Sequence, residues 1–174
     1  MADPFWTVVT GALVFVIGQA GKAVLVDPIM EQRRVLGEIA SNLLYYANIY
    51  GNLFTFEQTR KEGFPPETVK KIETASDTFR QLTARLSASK TAIAWYHYWE
   101  YTPWVPSREA LDEAIGDLIL LSNTTYKPER EPGTVVREER NVDTAKRIRA
   151  TLGLNGRSRF WPHVKRMVDL RWRT

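Results

Sequence analysis

The chain has 174 residues, of which 44% are hydrophobic and 25% charged, a composition that allows a real hydrophobic core. It has no cysteine, which excludes disulfides, thiolate nucleophiles and cysteine-ligated metals, and its two histidines are too few for a histidine-rich metal site. The net charge of +4 is uneven: residues 137–174 carry 11 Lys/Arg against 4 Asp/Glu. This asymmetry predicts an anionic partner, lipid or nucleic acid, for the C-terminal region. We expect no cofactor.

Residues 5–26 form an apolar stretch in which Lys22 is the only ionisable residue. As a helix this stretch would reach about 33 Å, enough to cross a hydrocarbon core of about 30 Å. Basic residues follow the stretch at Lys22, Arg33 and Arg34, and none precedes it. The positive-inside rule then predicts an external N-terminus and a cytoplasmic remainder. We interpret residues 1–26 as a transmembrane anchor in a bacterial inner membrane.

Two other interpretations of this stretch stay open. A cleaved signal peptide would use Gly18-Gln19-Ala20 as its small-residue site, although the leader carries Asp3 in place of a basic region. A buried core helix is the second, although few helices of a small domain are apolar on nearly every side.

One side of the apolar helix carries residues suited to helix–helix contact. Two explanations compete: glycine is common in membrane helices and Lys22 extends to the interface, or this side is a self-association face around a water-filled centre. The second requires a homo-oligomer. The residues of this predicted oligomer face are Thr7, Gly11, Phe15, Gly18, Gln19 and Lys22.

The rest of the chain shows helical spacing and no sustained period-two alternation, which predicts an all-α fold. Asp27-Pro28 predicts a helix restart with Asp27 as N-cap, opening a semi-rigid stalk helix over residues 27–51. Further helices are predicted from Glu67 to about Ser89, after Ser107 as N-cap, and from Val135 to Leu152 with Gly153 as the stop. The apolar positions of the first of these are Val69, Ile72, Ser76, Phe79, Leu82 and Leu86. Residues 27–152 are expected to form a four- or five-helix cytoplasmic bundle into which the anchor continues through the stalk.

The predicted buried side of the helix after Ser107 carries Leu111, Ile115, Leu118 and Ile119. Between this helix and the previous one lies a run of aromatic residues, WYHYWEY over 95–101, with Trp104 after it. We take core packing as the leading interpretation of this aromatic segment. Contact with the membrane interface and stacking on nucleic-acid bases are the alternatives.

Residues 153–174 form a basic tail with an amphipathic pattern. Aromatic and basic side chains on opposite sides are typical of a helix that lies in a membrane interface. The alternative is that the tail forms a final helix that packs on the bundle and leaves its basic side in solvent. The tail is also the expected contact for a nucleic acid or a protein partner. The predicted contact residues are Trp161, Lys165, Arg166, Arg171, Trp172 and Arg173.

No glycine-rich phosphate loop, HExxH motif or nucleophile elbow occurs, so we expect no enzyme of those classes. The stretch FWTVVTGALVFVIGQ, followed by DPIMEQRRVLGEIASNLLYYANIY, resembles uncharacterised bacterial single-pass membrane proteins with a small cytoplasmic helical bundle. The architecture also resembles the membrane-pore accessory proteins of type VI CRISPR systems, whose bundle is HEPN-like. This resemblance implies assembly into a membrane ring or pore and a role in antiviral defence.

Ribonucleases of the HEPN fold use an Arg-x4–6-His motif, and Arg157 to His163 has that spacing, with Arg159 between them. Two functional hypotheses follow. The first is a self-assembling membrane protein acting as a pore, effector or scaffold. The alternative is a membrane-tethered RNA-binding or ribonuclease module, with His163 as general base and arginine holding a phosphate.

Overall fold

Apolar residues at helical spacing run through most of the chain, and the computed structural model confirms the all-helical fold. It describes residues 4–55, 60, 63–127 and 134–154. Within them a two-residue parallel pairing joins β1, Phe54–Thr55, to β2, Tyr126–Lys127. The helices are α1 Pro4–Gly21, a π-helical turn Lys22–Val26, α2 Asp27–Tyr45, α3 Ala47–Gly51, α4 Pro66–Ala92, α5 Tyr96–Trp99, α6 Arg108–Asn123 and α7 Thr134–Thr151.

The predicted helix restart at Asp27-Pro28 is wrong, because the chain stays helical through this point. Val26 and Asp27 both have right-handed helical backbone angles, and the Asp27 amide donates to the Lys22 carbonyl across five residues. Pro28 lacks an amide hydrogen, and in an α-helix its ring would clash with the carbonyl four residues earlier. The wider π turn directly before Pro28 relieves this conflict, so α1 and α2 form one continuous helix.

The helix α2 is part of the core and does not act as a free stalk. One side of α2 is buried from Ile29 onward, and Ile29 lies only three residues beyond the apolar stretch. The helix α4 packs against both α2 and α6, α6 also packs against α7, and α3 contacts α7. Only the short π turn and the first residues of α2 therefore separate α1 from the packed helices.

The core is formed by leucine, isoleucine and aromatic side chains from all four long packed helices. Phe79 is fully buried near its centre, and its ring meets the ring of Tyr46 edge-on at 5.8 Å between centroids. Burial of these side chains is the main force that holds the helices together. The other core residues include Val35, Ile39, Leu43, Leu82, Leu86, Leu111, Leu118, Leu121 and Ile148.

Two helix ends have the local chemistry that the sequence predicts. The Ser107 side chain accepts a hydrogen bond from the Ala110 amide at 3.2 Å, which caps the start of α6. At the end of α7, Gly153 has a φ of +70°, a left-handed conformation that glycine adopts without strain. The Leu154 amide donates to the Arg149 carbonyl at 2.7 Å, which completes a Schellman C-cap.

Candidate functional site

The apolar side chains of α1 are not covered by any other described part of the chain. Every side chain from Phe5 to Ala20 is exposed, and those of Val8 and Phe15 are 71% and 66% exposed. The interpretation as a buried core helix is therefore wrong. By length and composition, the N-terminal helix is able to cross a membrane.

The predicted oligomer face lies on this exposed helix. Thr7, Phe15 and Gln19 are exposed, and a Cβ added at Gly11 or Gly18 would meet no atom within 4 Å. Nothing in the described part of the chain covers this side. A contact between copies there stays a prediction.

Lys22 differs from the other residues of this face because it has an ionic partner. Its Nζ lies 2.8 Å from Asp27 Oδ1, and both side chains are more than half exposed. Residues five apart normally diverge on an α-helix, where close neighbours are three or four apart. The π turn brings Asp27 over Lys22, so the charge of Lys22 is balanced where the apolar stretch ends.

The aromatic segment lies mostly outside the core. Core packing is confirmed for Tyr96, which is 1% exposed, but it is wrong for Trp95, Tyr98, Tyr101 and Trp104, whose side chains are 53–76% exposed. The cause is local, because α5 has only four residues and turns a single side toward the core. A short segment thus displays four large aromatic side chains.

Tyr96 fastens the aromatic segment to α2. Its hydroxyl donates to the Pro106 carbonyl at 2.7 Å and accepts from Gln32 Nε2 at 3.4 Å. Gln32 is fully buried, and its Oε1 has no hydrogen-bond partner within the described residues. Trp95, directly before Tyr96, has a φ of +51°, which is unfavourable for a side chain with a Cβ. The buried polar side chain of Gln32 and the strained backbone of Trp95 are therefore both found around Tyr96.

We expect Tyr96→Phe to lower the free energy of unfolding by about 1–2 kcal/mol, because the buried Pro106 carbonyl and Gln32 amide lose their shared partner. Urea denaturation in mild detergent, followed by circular dichroism, measures this change. The matched control is Tyr98→Phe, whose side chain is 72% exposed and which should stay within about 0.5 kcal/mol of the parent. Equal effects of the two substitutions would contradict the assigned role of Tyr96.

A groove lies between the end of the apolar stretch and the aromatic segment. Its volume is about 270 Å³, and the rings of Trp99 and Trp104 stack beside it with 6.2 Å between centroids. Arg33 contributes its only cationic lining group, and Arg33 Nε donates to the Trp104 carbonyl at 3.1 Å. We call it the Trp groove. Its lining residues are Leu25, Val26, Ile29, Met30, Arg33, Trp99 and Trp104.

Sequence reasoning did not assign the Trp groove, although two of its signals are visible in the sequence. The tryptophans lie in one aromatic run, and Arg33 is one of the basic residues that follow the apolar stretch. The sequence does not show that Trp99, which lies 66 residues after Arg33, and Trp104 pack beside residues 25–33.

The remaining predicted site residues lie outside the described part of the chain. These are the nuclease candidates Arg157, Arg159 and His163, and the predicted contacts Trp161, Lys165, Arg166, Arg171, Trp172 and Arg173. Within the described residues, no group of three or more His, Asp or Glu side chains is arranged to hold a metal ion.

No protein-family model, curated protein or solved structure matches the chain. The resemblance to type VI CRISPR accessory proteins stays a prediction.

Proposed function

We propose that this chain is a single-pass membrane protein in which α1 crosses the bilayer and the packed helices form a cytoplasmic bundle. The observation that carries the proposal is one continuous helix with two environments. Its first half exposes apolar side chains on every side, whereas its second half buries Ile29, Val35 and Ile39 in the core.

The energetics favour a bilayer around α1. Burying one large aliphatic or aromatic side chain is worth about 1.5–3 kcal/mol, and α1 leaves many of them uncovered. A contiguous apolar surface of this kind in a water-exposed protein usually marks a membrane or protein contact. A lipid bilayer covers all sides of such a helix at once, while the helix satisfies its own backbone hydrogen bonds.

The charges support an N-out orientation. Lys22, Arg33 and Arg34 all lie on the bundle side of the apolar stretch, and positive charge near a span favours the cytoplasmic side. Retention of the span in the mature protein, rather than cleavage after residue 20, is part of the proposal. Intact mass measurement of the membrane-extracted protein tests it directly, because cleavage would remove about 20 residues.

We further propose that the chain self-assembles through the oligomer face. Gly11 and Gly18 lie two turns apart with open space around them, so a second helix is able to approach the backbone closely there. Gln19 is a polar side chain in an apolar helix, and it gains a partner when helices meet. Assembly into a ring or pore with a defence role is the proposal that the resemblance adds.

We expect the double substitution Gly11→Leu/Gly18→Leu to reduce the detergent-solubilised oligomer to smaller species, because two added side chains separate the helix backbones. Light scattering coupled to size-exclusion chromatography measures the mass. The matched control is Val9→Leu/Ala20→Leu, which adds bulk on the opposite side of α1 and should leave the mass unchanged. An unchanged size distribution in the glycine variant, or a monomeric parent, would rule out assembly through this face.

The alternative function, RNA binding or cleavage through Arg157, Arg159 and His163, remains a separate proposal. A His163→Ala variant that keeps full activity, or a purified protein that neither binds nor cleaves RNA at low salt, would remove it.

A further inference from the structure

We propose that the Trp groove binds one anionic phospholipid of the leaflet facing the packed helices. The acyl chain would lie along the apolar wall, and the phosphate would contact Arg33. This inference rests on the proposed membrane insertion of α1 and adds a specific ligand to it.

The position of the groove connects it to the bilayer. Leu25 and Val26, which line one end, are the last residues of the apolar stretch, whereas Met30 and Arg33 lie one to two turns farther along the same helix. If α1 spans the membrane, the groove begins at the hydrocarbon boundary and continues into the headgroup region. A lipid in that leaflet therefore reaches it without leaving the bilayer.

The lining matches the two parts of a phospholipid. Six of the seven lining residues are apolar or aromatic, which suits an acyl segment, and the volume of about 270 Å³ accommodates a segment rather than a whole lipid. Tryptophan is also the residue that favours the membrane interface, because its ring is apolar while its N–H is polar. Trp99 and Trp104 thus form a wall suited to this depth.

Arg33 supplies the charge for a phosphate. Its Nε is held by the Trp104 carbonyl, and no described carboxylate lies within ion-pair distance of its guanidinium. The neighbouring cations differ, because Lys22 is paired with Asp27 and Arg34 lies 3.5 Å from Glu38. The remaining Arg33 N–H groups are therefore available for a charge-assisted, two-point contact with phosphate oxygens.

The shape of the aromatic segment supports a function at this place. Trp95 keeps its left-handed backbone while buried Ile93 and Tyr96 fix the chain on either side of it. Strain of this kind persists where the surrounding structure enforces it, and it often accompanies binding sites. Here it accompanies a turn that sets Trp99 and Trp104 against α2.

The test uses the full-length protein in micelles containing equal amounts of phosphatidylglycerol and phosphatidylcholine, with bound lipid read by native mass spectrometry. We expect the parent to retain one phosphatidylglycerol per chain in preference to phosphatidylcholine. Arg33→Gln should lower this retention by at least about tenfold, because it removes the charge-assisted, two-point contact with the phosphate. The matched control is Arg34→Gln, whose partner is Glu38 and which should retain lipid like the parent.

A second pair of variants tests the apolar wall. Trp104→Ala should lose both lipids. Trp95 is also an exposed tryptophan but lies outside the groove, so Trp95→Ala should lose neither lipid. Thermal melts establish that each variant is folded, and Arg33→Gln decides the case if Trp104→Ala unfolds. Equal retention by Arg33→Gln and Arg34→Gln would overturn the site.

Two further outcomes separate this inference from its alternatives. Binding of single-stranded RNA that is lost in Trp104→Ala, without selective lipid retention, would assign the aromatic segment to base stacking and overturn the lipid site. Alkaline carbonate extraction of membranes is run in parallel. A chain that carbonate releases contradicts the proposed membrane insertion itself, whereas a chain that stays in the membrane without selective lipid contradicts only the groove.

Discussion

Replacing Phe79 with alanine is expected to lower the free energy of unfolding by about 3–5 kcal/mol, the largest effect of any single substitution considered for this chain. Phe79 is fully buried in α4, and its ring contacts Tyr46 and Tyr50 from the α2–α3 side of the core. Alanine would leave a cavity between these rings and would remove their edge-on contacts. Urea denaturation in detergent, followed by circular dichroism, measures the loss.

The control for Phe79→Ala is Leu44→Ala. Leu44 is a large apolar residue of α2, but its side chain is 66% exposed, so its truncation should change stability by no more than about 0.5 kcal/mol. Similar losses in the two variants would show that Phe79 does not occupy the centre of the core.

Arg147→Ala is expected to cost about 2–4 kcal/mol of stability, because it leaves the Asp117 carboxylate buried without its partner. Arg147 Nε and Nη2 contact the two Asp117 carboxylate oxygens at 2.7 and 2.5 Å. The Asp117 side chain is only 10% exposed, while that of Arg147 is 52% exposed, which keeps the expected cost below that of a fully buried pair. The pair ties α7 to α6.

Two comparisons isolate this ion pair. Lys146→Ala removes a neighbouring cation whose pairing with Asp143 is fully solvated, and it should cost less than about 0.5 kcal/mol. The double variant Asp117→Leu/Arg147→Leu should be less destabilised than Arg147→Ala, because it leaves no buried charge behind. A double variant that is at least as destabilised as Arg147→Ala would contradict the assigned coupling.

The pair also has a defined pH behaviour. The hydrogen bond to Asp117, followed by its charge, raises the pKa of Arg147 above its ordinary value. A basic group whose pKa is raised by folding stabilises the folded state fully below its unfolded pKa and loses that stabilisation only as the pH rises through the folded pKa. Because the unfolded pKa of arginine already lies far above neutral pH, this group should produce no change in stability between pH 6 and 9.

Helical periodicity predicted the buried side of α4 because that helix alternates clearly between apolar and charged residues. Of the predicted residues, Val69 is only partly buried, and the others are buried as the spacing indicates: Ile72, Ser76, Phe79, Leu82 and Leu86. In α6 the run Leu118-Ile119-Leu120-Leu121 is apolar throughout, so the spacing does not show which of these residues face the core. The predicted burial of Ile119 is wrong, since it is 45% exposed, and Leu121 is fully buried instead.

Local patterns did not predict two other features, and the second of them depends on contacts between distant parts of the chain. Asp27-Pro28 has the composition of a helix start, but a π turn absorbs the proline and the helix continues. The aromatic segment has the composition of a core, but the fold uses only Tyr96 for that purpose and places Trp99 and Trp104 against α2. The π turn is a local effect, whereas contacts between distant segments place Trp99 and Trp104 against α2.

The same kind of contact explains a buried polar residue that the sequence did not reveal. Asn141 of α7 is 1% exposed, and its side chain bonds to the Tyr50 and Thr124 carbonyls and to the Thr124 hydroxyl. These bonds join the ends of α3 and α6 to α7. Asparagine is mostly a surface residue, so its burial is predicted only when its hydrogen-bond partners are known.

We propose that one continuous helix passes from a bilayer into the packed helices. Because the chain has no cysteine, single cysteines at Leu13 and Leu44 permit nitroxide labelling of this helix at two points about 46 Å apart. The two side chains are similarly exposed in the isolated chain, at 58% and 66%. In reconstituted vesicles the Leu13 label should be accessible to oxygen and protected from a water-soluble nickel complex, and the Leu44 label should show the reverse. Equal access of the nickel complex to both labels would contradict the claim.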